Sequence, residues 1–257
     1  MNISHENILR KNKKIQNLYP NETLHILGNG PSLGKVDLKK IANGFSVCVN
    51  EFYLIEKLNT FNPNFIVLAD PLYYEEPDKY SQPLLDHLGL NISKTTLLAP
   101  IEFIEIMRKN ERLYKKVDNY YYDFDNSKEY SFDISKKIKP IAQNVLNICI
   151  ILGVFCGFKN IYLHGIDHDI LSMSKEMFEN DWNWPHAYSE KKENNIGLKT
   201  SLQKYGIGWP GLKDIQLRMI NQYSILKEIC TANNVKILNS TAGSHLKVFP
   251  FDTQDWS

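Results

Sequence analysis

Six short runs, Thr23–Leu27, Phe45–Val49, Phe65–Leu68, Thr95–Leu98, Asn160–His164 and Val235–Leu238, are β-prone, and several carry no polar alternation. A strand apolar at successive positions must be covered on both faces, which a parallel sheet between helix layers provides. Helical patterns fall between the runs, at Leu38–Ala42, Leu72–Leu88, Ile101–Leu113, Asn144–Phe155 and Leu212–Asn233. This βαβ rhythm predicts an α/β chain with a Rossmann-like, doubly wound and mainly parallel sheet. Ligands in such sheets bind beyond the carboxyl ends of the strands, so residues directly after strands are the candidates for function.

The rhythm stops between Asp167 and Gly211, where Trp182, Trp184, His186, Tyr188, Trp209 and the charged run Ser189–Asn195 occur in a stretch too long for an ordinary connection. We read 167–211 as a lid insertion, 21–166 with 212–257 as the nucleotide-binding domain, and 1–20 as a helical extension. A second irregular patch, Tyr114–Lys139, is aromatic and acidic and suits edge structure or a wall.

Charge excludes some partners. Thirty Lys and Arg balance 29 Asp and Glu among 257 residues, so no global field recruits nucleic acid. Cys48, Cys149, Cys156 and Cys230 lie far apart in apolar segments and read as reduced core residues. Met1–Lys14 is polar and basic, unlike a secretory signal, and Ile141–Phe158 is interrupted by Gln143, Asn144, Asn147 and Gly153. The expectation is a cytoplasmic protein with no membrane span, peripheral attachment at the inner membrane face staying open.

At the first strand's end stand Gly28, Asn29, Gly30, Pro31 and Ser32. Glycines let backbone N–H groups approach a ligand, Pro31 suits a first helical turn, and an anion such as phosphate is the ligand such a turn favours. A turn that is merely tight explains the glycines equally well. Asn50 follows the second strand and Asp70 the third, the one able to read a base or sugar edge, the other to accept from hydroxyls or hold a metal. Gln143 and Asn144 open a helix whose dipole favours an anion. Gly165, Asp167 and His168 follow the strand that contains Tyr162.

The segments "LHILGNGPSLGKVDLKKIANGFSVCVNEFY" and "ILGVFCGFKNIYLHGIDHD" resemble the small bacterial sialyltransferases of surface-glycan synthesis, glycosyltransferase family 42. They are also similar to a wider superfamily of pterin diphosphokinase-like and flagellin-modifying proteins. The match spans Leu24–Tyr53 and Asn144–Asp169. The resemblance implies a GT-A-like variant of the fold and an inverting transfer of sialic acid, or a related keto-acid sugar, from a CMP-sugar donor to a surface glycan such as lipooligosaccharide. It implies donor contacts from Asn29, Gly30, Ser32 and Asn50, a lid histidine matched by His186 as general base, and tyrosines assisting the departing phosphate. Tyr162 matches the first of those tyrosines, and His168 stands in place of the second. Asp70 replaces a family asparagine, and Gln143 and Asn144 replace a threonine–serine pair. Tyr188 and the lid tryptophans offer flat faces for an acceptor sugar.

No essential metal or other cofactor is expected on this reading, and homo-oligomers enter by analogy alone. Two alternatives stay open: a diphosphokinase-like enzyme using ATP and magnesium through Asp70, Asp167 and Asp169, and a noncatalytic nucleotide-binding module.

Overall fold

The computed structural model describes all residues except 1–3, 59, 92–93, 140–143, 181–185, 188–201 and 204. Among the described residues, strands β1 (Thr23–Leu27), β2 (Phe45–Val49), β3 (Phe65–Val67), β4 (Thr96–Pro100), β5 (Asp118–Tyr122), β6 (Asn160–His164) and β7 (Lys236–Asn239) form one sheet. Their order is β5-β4-β3-β2-β1-β6-β7, with every neighbouring pair parallel. The unalternating runs are buried on both faces, each face against its own apolar cluster. The fold is α/β and Rossmann-like, as the rhythm predicts.

Successive connections carry the chain from β1 outward to β5, then back across to β6 on the other side of β1. The exits of β1 and β6 therefore diverge, and such a topological switch point leaves a crevice at the strand ends.

Local chemistry explains where the helices depart from expectation. The predicted Leu72–Leu88 helix is two, Leu72–Glu75 and Pro77–Asn91, because Pro77 disfavours helical geometry at Glu76, whose φ and ψ are −127° and 62°. Leu38–Ala42 is a turn, whereas the glycine segment continues into a 3₁₀ helix, Pro31–Lys35, with proline in its first turn. Asn144 caps the helix Val145–Cys156 by accepting from the Leu146 N–H at 2.8 Å, and Gly157 ends it at φ 96°. The last helix begins earlier than predicted, at Trp209, with Pro210 in its first turn.

The patch at Tyr114–Lys139 supplies the edge strand β5, and the N-terminal segment lies along it. The buried Asn12 donates from Nδ2 to the carbonyls of Tyr121 at 2.6 Å and Ile134 at 2.7 Å, while the Lys11 ammonium donates to the Asn119 carbonyl at 2.8 Å. Unpaired edge groups otherwise invite association, and here the Asn119 and Tyr121 carbonyls of that edge are taken. Asn12→Leu leaves two buried carbonyls unserved and is expected to cost about 2 kcal/mol, read as a lower urea midpoint at unchanged slope.

At the other edge the chain terminus pairs with β7, the Asn239 N–H donating to the Pro250 carbonyl at 2.8 Å. All four cysteines are buried and unpaired. Among the described residues no helix is long and apolar enough to cross a membrane.

Candidate nucleotide-sugar site

A cavity of about 650 Å³ opens at the carboxyl ends of β1, β2, β3 and β6, within the size range of small-ligand sites. Gly28, Asn29, Gly30, Asn50, Asp70, Asn144, Gly165, Asp167, His168 and His186 all line it. They come from four strand ends, a helix N-terminus and the 167–211 insertion.

The glycine turn is bare because another loop lies against it. A Cβ on Gly28 or Gly30 would fall 2.6 Å from the Gly165 carbonyl oxygen, and on Gly30 it would also strike the Asp167 carboxylate. Gly28 N–H donates to the His164 carbonyl at 2.8 Å and Gly30 N–H to the Gly165 carbonyl at 2.9 Å. Ser32 donates its hydroxyl to Asp167 at 2.8 Å. The expectation that these glycine N–H groups meet an anion is thus corrected. Both are spent holding the β1 and β6 exits together, and a carboxylate of the protein takes the serine. Pro31 and Ser32 stand behind the wall. Gly30→Ala forces backbone against backbone and is expected to cost about 3 kcal/mol, measured as a fall in melting temperature.

Asn29 lines the cavity, donates from Nδ2 to the Val49 carbonyl at 3.2 Å, and has its Oδ1 buried with no hydrogen-bond partner. Its main-chain carbonyl accepts the Ala187 N–H at 2.8 Å, which fastens His186 beside the turn. Burial lowers the His186 pKa below 6.5, while a bond to the Asn29 main chain works the other way, so the imidazole is largely neutral at pH 7. Asn50 sits in the left-handed region at φ 42°, which asparagine tolerates, and its Oδ1 accepts the Ala69 N–H at 3.1 Å. Its NH₂ group remains for a ligand. Asp70 accepts the Leu72 N–H at 3.0 Å, a capping role, while still lining the cavity.

Asp167 and Asp169 line the same cavity but have different partners. Asp167 is held by Ser32, whereas Asp169 faces His245 at 3.7 Å, and burial, then the charge of Asp167, raises the Asp169 pKa. Among the described residues no cluster of three metal-ligating side chains occurs.

No protein-family model and no curated protein matches the chain. Solved structures do. The sialyltransferase CstII from Campylobacter jejuni in complex with the substrate analogue CMP-3FNeuAc matches at 17% identity and a TM-score of 0.50, covering 91% of this chain and 87% of that one. The sialyltransferase Cst-II with a trisaccharide acceptor and CMP matches at 16% identity and a TM-score of 0.50, with the same coverage. The chain shares the CstII fold.

Within this CstII-like frame, two expected residues are placed differently. Tyr162 is off the cavity wall: its ring stacks on His25 at 5.4 Å and meets Trp256 edge-on at 5.4 Å. It lies two residues before the end of β6, where the strand's alternation turns it away from the cavity. His168 is on the wall, but its Nε2 is 2.6 Å from the Tyr223 hydroxyl, and burial pulls its pKa down to about 4. It is a neutral ring bonded to the core. Gln143, Tyr188, Trp182 and Trp184 lie outside the described residues, and Trp209 packs on Phe178 instead of the cavity.

Thr241 accepts the Ile166 N–H at 3.0 Å and donates to the Leu163 carbonyl, so the turn after β7 braces the β6 exit.

Sequence reasoning passed over Glu51 and Glu75, which also line the cavity. Glu51 directly follows Asn50, and that adjacency to a strand-end asparagine was the available signal. With Asp70, Asp167 and Asp169 they make five carboxyls, and the described lining contains no Lys or Arg.

Proposed function

We propose that this chain is an inverting glycosyltransferase that moves a sialic acid or related keto-acid sugar from a CMP-sugar donor to a surface-glycan acceptor in the cytoplasm. His186 is its general base, and no metal is required. The observation that carries this is the histidine on the lining of a strand-end cavity, fastened to the glycine turn through the Ala187 N–H. Inverting transfer needs the acceptor hydroxyl deprotonated as it attacks the anomeric carbon, and a neutral imidazole at that position serves. The shared fold supports the donor class, because the CstII structures hold CMP-3FNeuAc, or CMP with a trisaccharide.

The cytidine and ribose are assigned to the Asn50 NH₂ group, with Asn29, Asn144 and Gly165 lining the same space. The 167–211 insertion acts as the lid that brings His186 over the donor. Tyr162 takes no part in assisting the departing phosphate. His168 lacks a titratable proton near neutrality and serves as a wall.

Thermal-shift measurements with CMP, with magnesium-ATP and with magnesium alone test this reading. CMP at a hundred times its Kd is expected to stabilise the protein by about 2.7 kcal/mol with or without magnesium. The carboxyl-rich wall favours one competitor, a diphosphokinase-like enzyme. A response confined to magnesium-ATP establishes that competitor instead.

A further inference from the structure

We propose that Glu51 is a specificity-determining residue of the cavity, presenting a carboxylic acid O–H to an anionic oxygen of the donor. The proposal rests on the CMP-sugar reading above and deepens it. A CMP-linked keto-acid sugar brings two anionic groups, the phosphate and the sugar carboxylate. The described wall meets them with Glu51, Asp70, Glu75, Asp167 and Asp169 and without a single Lys or Arg. Like charges brought together in a partly desolvated site cost several kcal/mol. A neutral acid on this wall converts a repelling group into a hydrogen-bond donor.

Glu51 is the carboxyl placed for it. The left-handed turn at Asn50, φ 42°, carries Glu51 off β2 and onto the wall beside Asp70. Beside it, the hydroxyl of the fully buried Tyr73 favours the charged form of Glu51. Burial outweighs that influence and raises the Glu51 pKa to about 7, with the charge of Asp70 adding to the rise. Tyr53 and Tyr73 are the other titratable groups beside it, and burial raises both of their pKa values, so they stay neutral. Glu75, Asp167, Asp169, His168 and His186 share the cavity. Near neutrality Glu51 therefore exchanges between acid and carboxylate, and only the acid welcomes an anion.

Calorimetric titration of the full chain with CMP and with CMP-3FNeuAc between pH 6 and 8.5 tests this. Wild-type affinity is expected to fall about tenfold per pH unit above pH 7, one proton being taken up with the ligand. Glu51→Gln, a permanently neutral isostere, removes that fall and keeps the low-pH affinity. Because a phosphate monoester itself titrates near pH 6, the difference between wild type and Glu51→Gln is the readout. Asp70→Asn removes the neighbouring charge and moves the wild-type midpoint to lower pH. A difference with both ligands assigns the contact to phosphate, and one with CMP-3FNeuAc alone assigns it to the sugar carboxylate. Tight binding of both ligands with no wild-type fall, or a fall that persists in Glu51→Gln, overturns the proposal and leaves the CMP-sugar reading standing. Absence of cytidylate binding at every pH overturns that reading, and this proposal with it.

Discussion

His186→Ala is expected to lower sugar transfer about 10²–10⁴-fold while CMP still binds, the range over which a positioned general base contributes. Separate assays of turnover and of CMP affinity check it. The distinction matters because Ala187, through its main-chain N–H, fastens this segment to Asn29, and that bond survives loss of the imidazole. A variant that loses CMP affinity and turnover together would identify His186 as a binding residue instead. The pH profile follows from the same geometry. Burial places the His186 pKa below 6.5, and a base works in its unprotonated form, so activity is expected to rise with pH and reach its plateau before neutrality. A limb centred well above pH 7 would not belong to this histidine.

A loss of stability in mild acid is the second large effect expected. His25 and His164, 4% and 0% exposed, share a hydrogen bond of 3.0 Å between Nδ1 and Nε2 and pack against Trp256. Burial lowers the pKa of His25 to about 4, and burial with the charge of His25 lowers that of His164 to about 3. In the unfolded chain both titrate near 6.5, so below that pH the unfolded state binds protons the folded state refuses. Stability is complete above pH 6.5 and falls as pH drops through the window toward 4, by about 3 kcal/mol for each ring. His168, with its pKa near 4, adds to the same trend. Urea unfolding at pH 7.5 and pH 4.5 measures it. His25→Gln keeps a hydrogen-bonding side chain and removes one titrating ring, so its stability should depend less steeply on pH. An equal dependence in that variant would place the acid lability elsewhere.

Much of the frame was legible because it depends on neighbours in sequence. β1, β2 and β6 have the predicted bounds, and Asn144 caps its helix as a residue of that type does before an apolar run. β5 was read only as edge structure or a wall, without bounds, because its residues, "DNYYY", sit in an acidic and aromatic patch, and its edge is covered by Asn12 and Lys11 from more than 100 positions away. The long helix expected after Leu72 overlooked Pro77, a local signal that was available. Of the predicted site, the strand-end residues Asn29, Asn50, Asp70, Gly165 and Asp167 do share one cavity, since strand ends of a parallel sheet lie on one rim. Tyr162 does not, because one position along a strand reverses the side a side chain faces.

Apolar runs, helix caps and glycine breaks act through sterics and burial within a few residues, so the amino-acid order alone sufficed for a doubly wound sheet with its polar residues gathered at the strand ends. Which of those residues keep a free donor or a displaced proton is set by atoms that only folding brings near. Gly30 spends its N–H on Gly165, Ser32 its hydroxyl on Asp167, and Glu51 acquires its pKa from burial beside Asp70. Hydrogen-bond partners and desolvation are properties of the packed chain, and with them the chemistry of the cavity was decided in three dimensions.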